Sequence, residues 1–144
     1  MISTRGRYAL RVLLDLAENA GDGYLPMKDV AARQEISQKY LEQIMPVLVQ
    51  HGMVDAVHGK GGGYRLTKAP EEYRVGDILR LTEGDLAPVA CLTCTAAPCH
   101  RAARCRTRGM WEAYYAMTDR FFDGITLADL IQPTSDKAEK DTAQ

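Results

Sequence analysis

The chain has 144 residues, 46% hydrophobic and 26% charged, with a formal net charge of -1. That length supports one buried core with an appended element, and a near-neutral charge means that any polyanionic partner has to be met by a local basic patch. Arg5, Arg7, Arg11, Asp15 and Glu18 interrupt the first apolar pattern and no later run approaches the length of a membrane span, which excludes a signal-peptide core and predicts a cytoplasmic protein with no membrane partner.

From Thr4 the apolar residues Tyr8, Leu10, Val12, Leu13, Leu14, Leu16 and Ala17 recur at helical spacing. They predict a buried first helix over 4–20, with Thr4 as N-cap and Gly21-Asp22-Gly23 as its stop. Arg5, Arg7 and Arg11 stand towards its N-terminal end, where they either meet phosphates or are simply solvated. Pro26 opens a second helix over 27–33 with Val30 and Ala31 inward. Arg7 and Lys28 are the candidate DNA contacts of these two helices. Gln34 and Glu35 make a turn, and Ser37 caps a third helix running to about residue 50, with Tyr40, Leu41, Ile44, Val47 and Leu48 as its inner stripe.

Two helices joined by so short a turn form the helix-turn-helix pattern, in which the second helix enters the major groove. Ser37, Gln38, Lys39, Tyr40, Glu42 and Gln43 are its candidate DNA-contacting residues. Glutamine can pair with adenine, glutamate accepts from cytosine N4, and lysine reaches guanine or phosphate. The bland alternative is a solvated helical face. Pro46, inside this helix, removes one backbone hydrogen bond and predicts a kink.

After Gly52 the periodicity changes to alternation over 53–57 and 64–68, around His58-Gly-Lys-Gly-Gly-Gly63. This predicts a hairpin that forms a wing behind the helix-turn-helix, with His58, Gly59, Lys60, Gly61 and Arg65 as candidate DNA contacts and Lys68 adding to the local basicity. A nucleotide-binding loop does not fit, because no helix follows at once and no Gly-Lys-Ser/Thr occurs. Residues 70–72 form a turn, and a short helix over 75–82 packs Val75, Ile78, Leu79 and Leu81 on the winged domain. Gly84 and Pro88 then loosen the chain.

All four cysteines, Cys91, Cys94, Cys99 and Cys105, follow in one short window with two, four and five residues between them. Four thiolates that can converge suit a soft metal centre, and a reducing cytosol makes a disulfide framework improbable. The spacing matches none of the usual zinc patterns, which argues for an iron–sulfur cluster, with zinc as the alternative. Arg101, Arg104, Arg106 and Arg108 share the segment; they either balance an anionic cluster or are solvated or directed at DNA phosphates. A reading from another class is a thiol-redox or electron-transfer protein using Cys91-Leu-Thr-Cys94, although Pro88 and Pro98 give a poor thioredoxin-like context. No paired carboxylates or Ser/His/Asp grouping point to an enzyme.

From about residue 106 a last long helix carries Met110, Tyr114, Met117 and Phe121 in one row, with Trp111, Tyr115 and Phe122 in a second. So wide an apolar surface exceeds what the winged domain covers, and burying it against a second copy predicts a homodimer matched to a palindromic double-stranded DNA operator. The alternative is that both rows fold back on the first helix. Residues 126–131 predict a capping helix with Leu127 and Leu130 inward. The expected fold is thus mainly α with a small β-hairpin: a winged helix-turn-helix domain over 1–83, a cysteine-rich cluster-binding loop over 84–105, a dimerisation helix and cap over 106–132 through Met110, Trp111, Tyr114, Met117 and Phe121, and a disordered tail over 133–144.

With Arg5-Gly-Arg-Tyr-Ala-Leu, Ser37-Gln-Lys-Tyr-Leu-Glu-Gln-Ile44, Gly59-Lys-Gly-Gly-Gly-Tyr64, the cysteine loop and Trp111 in place, the chain resembles the IscR/NsrR family of winged-helix transcription regulators over about residues 1–131. The resemblance implies a homodimer with crossing C-terminal helices. It also implies a 2Fe–2S or 4Fe–4S cluster held by three cysteines and one non-cysteine ligand, with promoter binding controlled by the cluster. The family's ligand cysteines match Cys91, Cys99 and Cys105, its base-reading glutamate matches Glu42, and its wing matches residues 58–63. Two departures stand out. Arg108 occupies the place of a histidine ligand, leaving Cys94, His100 or a residue of the partner chain as the fourth ligand. His58 occupies a wing position often held by arginine, with Lys60 able to compensate.

Overall fold

Alternation of helical and strand periodicity along the chain is reproduced, in order, by a computed structural model that describes residues 1–19 and 21–132. The tail expected over 133–144 lies outside the described residues. The elements are α1 (Thr4–Asn19), α2 (Met27–Gln34), α3 (Gln38–Gln50), β1 (Val54–Val57), β2 (Gly63–Leu66), α4 (Val75–Glu83), α5 (Arg108–Asp123) and α6 (Leu127–Ile131). The winged helix-turn-helix is formed by α1 to β2, with α4 packed on α1.

The core stripe of α1 is Gly6, Ala9, Val12, Leu13 and Leu16, all buried, with Tyr8, Leu10 and Leu14 at its margins. Ser3, rather than Thr4, caps this helix: its Oγ accepts the Gly6 N–H at 3.2 Å and donates to the Glu83 carboxylate at 2.7 Å, tying the start of α1 to the end of α4. The same stripe contains a carboxylate. Asp15 is only 2% exposed, and its oxygens accept from Arg33 Nε at 3.0 Å, Arg33 Nη2 at 2.7 Å and Gln34 Nε2 at 2.9 Å. A buried charge is tolerated because it is paired and multiply hydrogen-bonded. Arg11, expected either to meet phosphates or to be solvated, instead turns to the end of α2, where its guanidinium donates to the carbonyl and the side chain of Gln34.

Pro26 lies just before α2 in extended conformation, and Gln34, expected in the turn, is its last helical residue. Glu35 makes the stop in the left-handed region at φ 53°. The next residue, Ile36, is buried, and the Ser37 Oγ accepts the Tyr40 N–H at 3.1 Å to start α3. Leu41, Ile44, Met45 and Leu48 form the buried face of α3. Met45 takes a core place not anticipated from the sequence, while Tyr40 and Val47 are half-buried at the edges. The helix continues through Pro46, which lies on its exposed side.

The hairpin is antiparallel, with Val54 opposite Leu66 and Val57 opposite Gly63, and is shorter than the alternation predicts. Met53 leaves β1 because its N–H closes the end of α3 on Leu48, and Thr67 leaves β2 because its Oγ1 donates to the Gly52 carbonyl at 2.6 Å. Leu25 adds a bridge on the other edge of β2, exchanging two 2.8 Å hydrogen bonds with Tyr64. A Cβ at Gly63 would overlap the Leu25 carbonyl, so only glycine lets the wing dock on the residues that open α2.

Val75, Ile78 and Leu79 of α4 are buried and Leu81 partly so. The helix α5 starts two residues after its expected origin and is joined to α4 through charge. Arg80 donates to Asp123 at 2.8 Å and to Asp119 at 2.8 Å, and Gly76 leaves the space that Asp123 fills. These bonds hold the Arg80 guanidinium pKa well above its ordinary value, and Arg80 in turn holds the Asp123 carboxyl below its own. The short α6 is capped by reciprocal bonds between Thr126 and Asp129 and buries Leu127. Leu130, expected inward beside Leu127, is exposed near the end of the short helix.

Asp15→Ala removes the anchor between α1 and α2. Since the Arg33 side chain is 37% exposed and can turn to water, a loss of about 2–3 kcal/mol is expected, below that of a fully buried pair. Urea unfolding followed by circular dichroism measures it; an unchanged midpoint would show that the pair carries no stability.

Candidate nucleic-acid interface and cysteine loop

A groove runs between the start of α2, the outer face of α3 and the wing, lined by Lys28, Gln38, Glu42, His58, Gly59, Gly62 and Tyr64 among others. The fold therefore brings together residues from three stretches that are far apart in the chain. Lys28, Ser37, Gln38, Lys39, Glu42 and Gln43 are exposed, as are His58, Gly59, Lys60 and Gly61 at the hairpin tip. The Ser37 hydroxyl serves as the cap of α3. Tyr40 packs edge-on against Tyr8, with ring centroids 5.3 Å apart, so its ring secures α3 to α1. Arg7 is exposed on α1 and does not line the groove.

Arg65 departs from the expected cluster. Side chains alternate along a strand, and the cross-strand pair Asp55 and Arg65 faces the opposite side of the hairpin from the pair Ala56 and Tyr64. There the guanidinium lies 4.5 Å from the centroid of the Tyr24 ring and 3.6 Å from the Asp55 carboxylate. Tyr64, not anticipated from the sequence, lies in the groove instead. Partial burial, and then the charge of Glu42, push its phenol upward. Its signal in the sequence is its position directly behind the glycine run, where alternation points it at α2 and α3.

The cysteine loop, between α4 and α5, contains two short 3-10 turns, Ala90–Leu92 and Ala102–Arg104. Cys91, Cys94 and Cys105 are exposed and Cys99 is half-buried, all with free thiols. Cys91 and Cys99 lie near enough to Arg108 for their charge to favour its protonated form, behind the larger effect of Glu112, which accepts from it at 2.6 Å. Cys105 stands beside Thr107, with its sulfur 3.5 Å from the Thr107 hydroxyl. Hydrogen bonding from Thr107, and more weakly the charge of Arg101, pull the Cys105 thiol below its ordinary pKa. Three of the four cysteines thus lie about the start of α5 with arginines among them. Among the described residues, no three His, Cys, Asp or Glu side chains, His100 included, are gathered closely enough to hold one metal ion. The donor set is right for a soft metal, and the loop has to close for its sulfurs to meet.

Asp85, also not singled out from the sequence, anchors this loop. Its carboxylate accepts the Ala87 N–H at 2.7 Å, the Cys94 N–H at 2.8 Å and the Tyr115 hydroxyl at 2.8 Å. The bond from Cys94 leads in lowering its pKa to about 2, and the bond to Asp85 leads in pushing the Tyr115 phenol up to about 12. An aspartate accepting from the N–H two residues on is an Asx turn, and Asp85-Leu-Ala after Gly84 is its signature. On α5, Met110, Tyr114, Met117 and Phe121 are 50% to 61% exposed, as the first apolar row predicts. Trp111, Tyr115 and Phe122 are half-buried. Trp111 and Phe122 line a groove shared with Leu86, Ala87 and Pro88, so the second row packs on its own chain.

Among the described residues, no helix is long and apolar enough to cross a membrane. The family model for Rrf2, an iron-dependent transcriptional regulator, matches residues 2–133. The HTH-type transcriptional regulator IscR of Aliivibrio salmonicida is 35% identical over 147 residues, covering 99% of this chain and 86% of the relative. Among solved structures, IscR of T. potens superposes with a TM-score of 0.71 at 31% identity, covering 100% of this chain and 91% of that one. CymR, the global cysteine regulator of B. subtilis, superposes with a TM-score of 0.73 at 33% identity, covering 91% and 95%. The chain belongs to the Rrf2 family of winged-helix, DNA-binding transcriptional regulators.

Proposed function

We propose that this regulator acts as a homodimer whose binding to a palindromic operator is controlled by an iron–sulfur cluster, 2Fe–2S or 4Fe–4S, in the cysteine loop. Cys91, Cys99 and Cys105 hold the cluster, and the fourth ligand comes from Cys94, His100 or the partner chain. The observation that carries the reading is the placing of Cys105 against Thr107, and of Cys91 and Cys99 within electrostatic reach of Arg108, at the start of the helix with the exposed apolar row, where loop chemistry would bear on dimer geometry. A cluster supplies a centre sensitive to oxidant, nitric oxide and iron supply. The chain's own residues do the rest. The charge of Arg101 helps to favour the thiolate form of Cys105. Met110, Tyr114, Met117 and Phe121 bury against the same row of the second copy, and Trp111 supports them from its place against Leu86 to Pro88.

Gln38, Lys39, Glu42 and Gln43 read base edges in the major groove. His58, Gly59, Lys60 and Gly61 follow the backbone into the neighbouring minor groove, and Arg7, Lys28, Ser37, Tyr40 and Arg65 contribute phosphate contacts or hold the reading residues in place. A change in loop state shifts the spacing of the two α3 helices relative to successive major grooves. About 1–3 kcal/mol of differential affinity makes a useful switch.

A second reading keeps the DNA-binding dimer and makes the loop a thiol-redox switch or a zinc knot. The depressed pKa and exposure of Cys105 favour the thiol version. Anaerobic purification separates these: brown protein with visible absorbance supports the cluster, colourless protein containing zinc the knot, and colourless metal-free protein with a reactive Cys105 the thiol switch.

Cys91→Ser, Cys99→Ser and Cys105→Ser are each expected to abolish visible absorbance and the effect of reconstitution on operator affinity; mutants that respond as wild type overturn the sensor reading. Glu42→Ala is expected to relax preference at one base-pair position, costing about 1–3 kcal/mol of discrimination in competition binding while sparing non-specific affinity. A uniform loss across all sequences speaks against base reading. Phe121→Glu is expected to sediment as a monomer at concentrations where wild type is dimeric, and unaltered sedimentation rules out this row as the interface.

A further inference from the structure

We propose that Asp85 and Tyr115 form the joint through which the cysteine loop acts on α5. The idea rests on the reading that the loop's chemical state controls operator binding. Asp85 stands directly after the Gly84 that ends α4. One of its oxygens accepts the Cys94 N–H at 2.8 Å from the middle of the loop, and the other accepts the Tyr115 hydroxyl at 2.8 Å from the middle of α5. One carboxylate therefore holds the loop backbone and the helix at once.

Geometry makes the joint responsive. Cys94 contributes mainly through its backbone N–H and more weakly through its side chain, so a change at either reaches the carboxylate. Bringing the sulfurs of this loop to a common centre moves the loop, since among the described residues no three such ligands converge as it stands, and Cys94 lies between the cysteines that have to meet. Loss or rotation of that N–H leaves Asp85 with fewer donors and changes its hold on Tyr115. One and two turns further along α5, on the same stripe, Asp119 and Asp123 grip Arg80 of α4. A shift at Tyr115 is therefore felt against a fixed point on the DNA-binding domain. Neither residue carries a thiol or lies in the groove beside α3, so both act as positioning residues.

Tyr115→Phe deletes the hydroxyl and keeps the ring; Asp85→Asn, which retains one acceptor oxygen, is the second variant should the first not fold. Operator affinity of the full-length protein is measured after anaerobic reconstitution with iron and sulfide and again after chelation, together with hydrogen exchange of peptides covering 108–123 in both states. Wild type is expected to differ between states by roughly tenfold and to change exchange in α5. In either variant the ratio is expected to approach one, with exchange in α5 indifferent to the loop. Variants that keep the wild-type ratio, or lose affinity equally in both states, overturn the joint while leaving the sensor reading intact. A wild type with no difference between states removes the sensor reading and the joint with it.

Discussion

A carboxylate in the hydrophobic stripe of the first helix sets the geometry on which the recognition surface depends. Asp15 is held by Arg33 and Gln34 at the end of α2, and Arg11, one turn earlier, donates to Gln34 from the same helix. Apolar contacts alone would let α2 slide along α1, because the hydrophobic effect is proportional to area and indifferent to direction. Bidentate arginine–carboxylate bonds are directional. They fix where α2 ends, hence where Glu35 turns and where Ser37 starts α3. On the opposite side, the pair of backbone hydrogen bonds between Leu25 and Tyr64 fixes the wing against the residues that precede α2. The groove between α3 and the hairpin therefore has walls set by two polar attachments to one eight-residue helix.

The C-terminal helix is held differently. No residue of α5 is fully buried in the single chain, and its ties to α4 and the loop include Arg80 with Asp119 and Asp123, and Asp85 with Tyr115. A helix whose inner side is half polar and whose outer side bears four large apolar residues is incomplete as a monomeric surface. Its hydrophobic driving force points away from its own domain. That division of labour suits the proposed dimeric regulator, because a polar seam reforms in a new register at modest cost while the apolar row would keep two copies together.

The helices and the hairpin were legible because periodicity reports burial, and the helix-turn-helix because short polar turns between periodic segments have few conformations. The exposed row on α5 was legible for the same reason. Tertiary side-chain bonds were less so. Asp15 in the sequence is an interruption of an apolar run, and nothing local says that Arg33 will meet it. Arg11 and Arg65 read as free cations, yet one binds Gln34 and the other lies over Tyr24 beside Asp55. Leu130 reads as core because it stands three residues after Leu127, yet it lies exposed near the helix end. The cysteines were legible as a set, but their convergence is a property of loop backbone that spacing does not determine.

The loop is where these two modes of attachment meet, and magnitudes decide what it can do there. A hydrogen bond to a charged group contributes about 1.5–3 kcal/mol, and less where water competes, as it does around the partly exposed Asp85. The coupling that a useful switch requires is about 1–3 kcal/mol. One carboxylate bond made or lost therefore suffices, and no rearrangement of the core is needed. Repacking Leu13 or Leu48 against their neighbours would cost at least as much and would disturb the reading helix in both states. In the proposed switch a polar contact at the edge of the core acts on α5 and leaves the surface of α3 and the wing as it is. The thiols of that switch, which sit in a connector outside the packed domain, reach α5 through one aspartate.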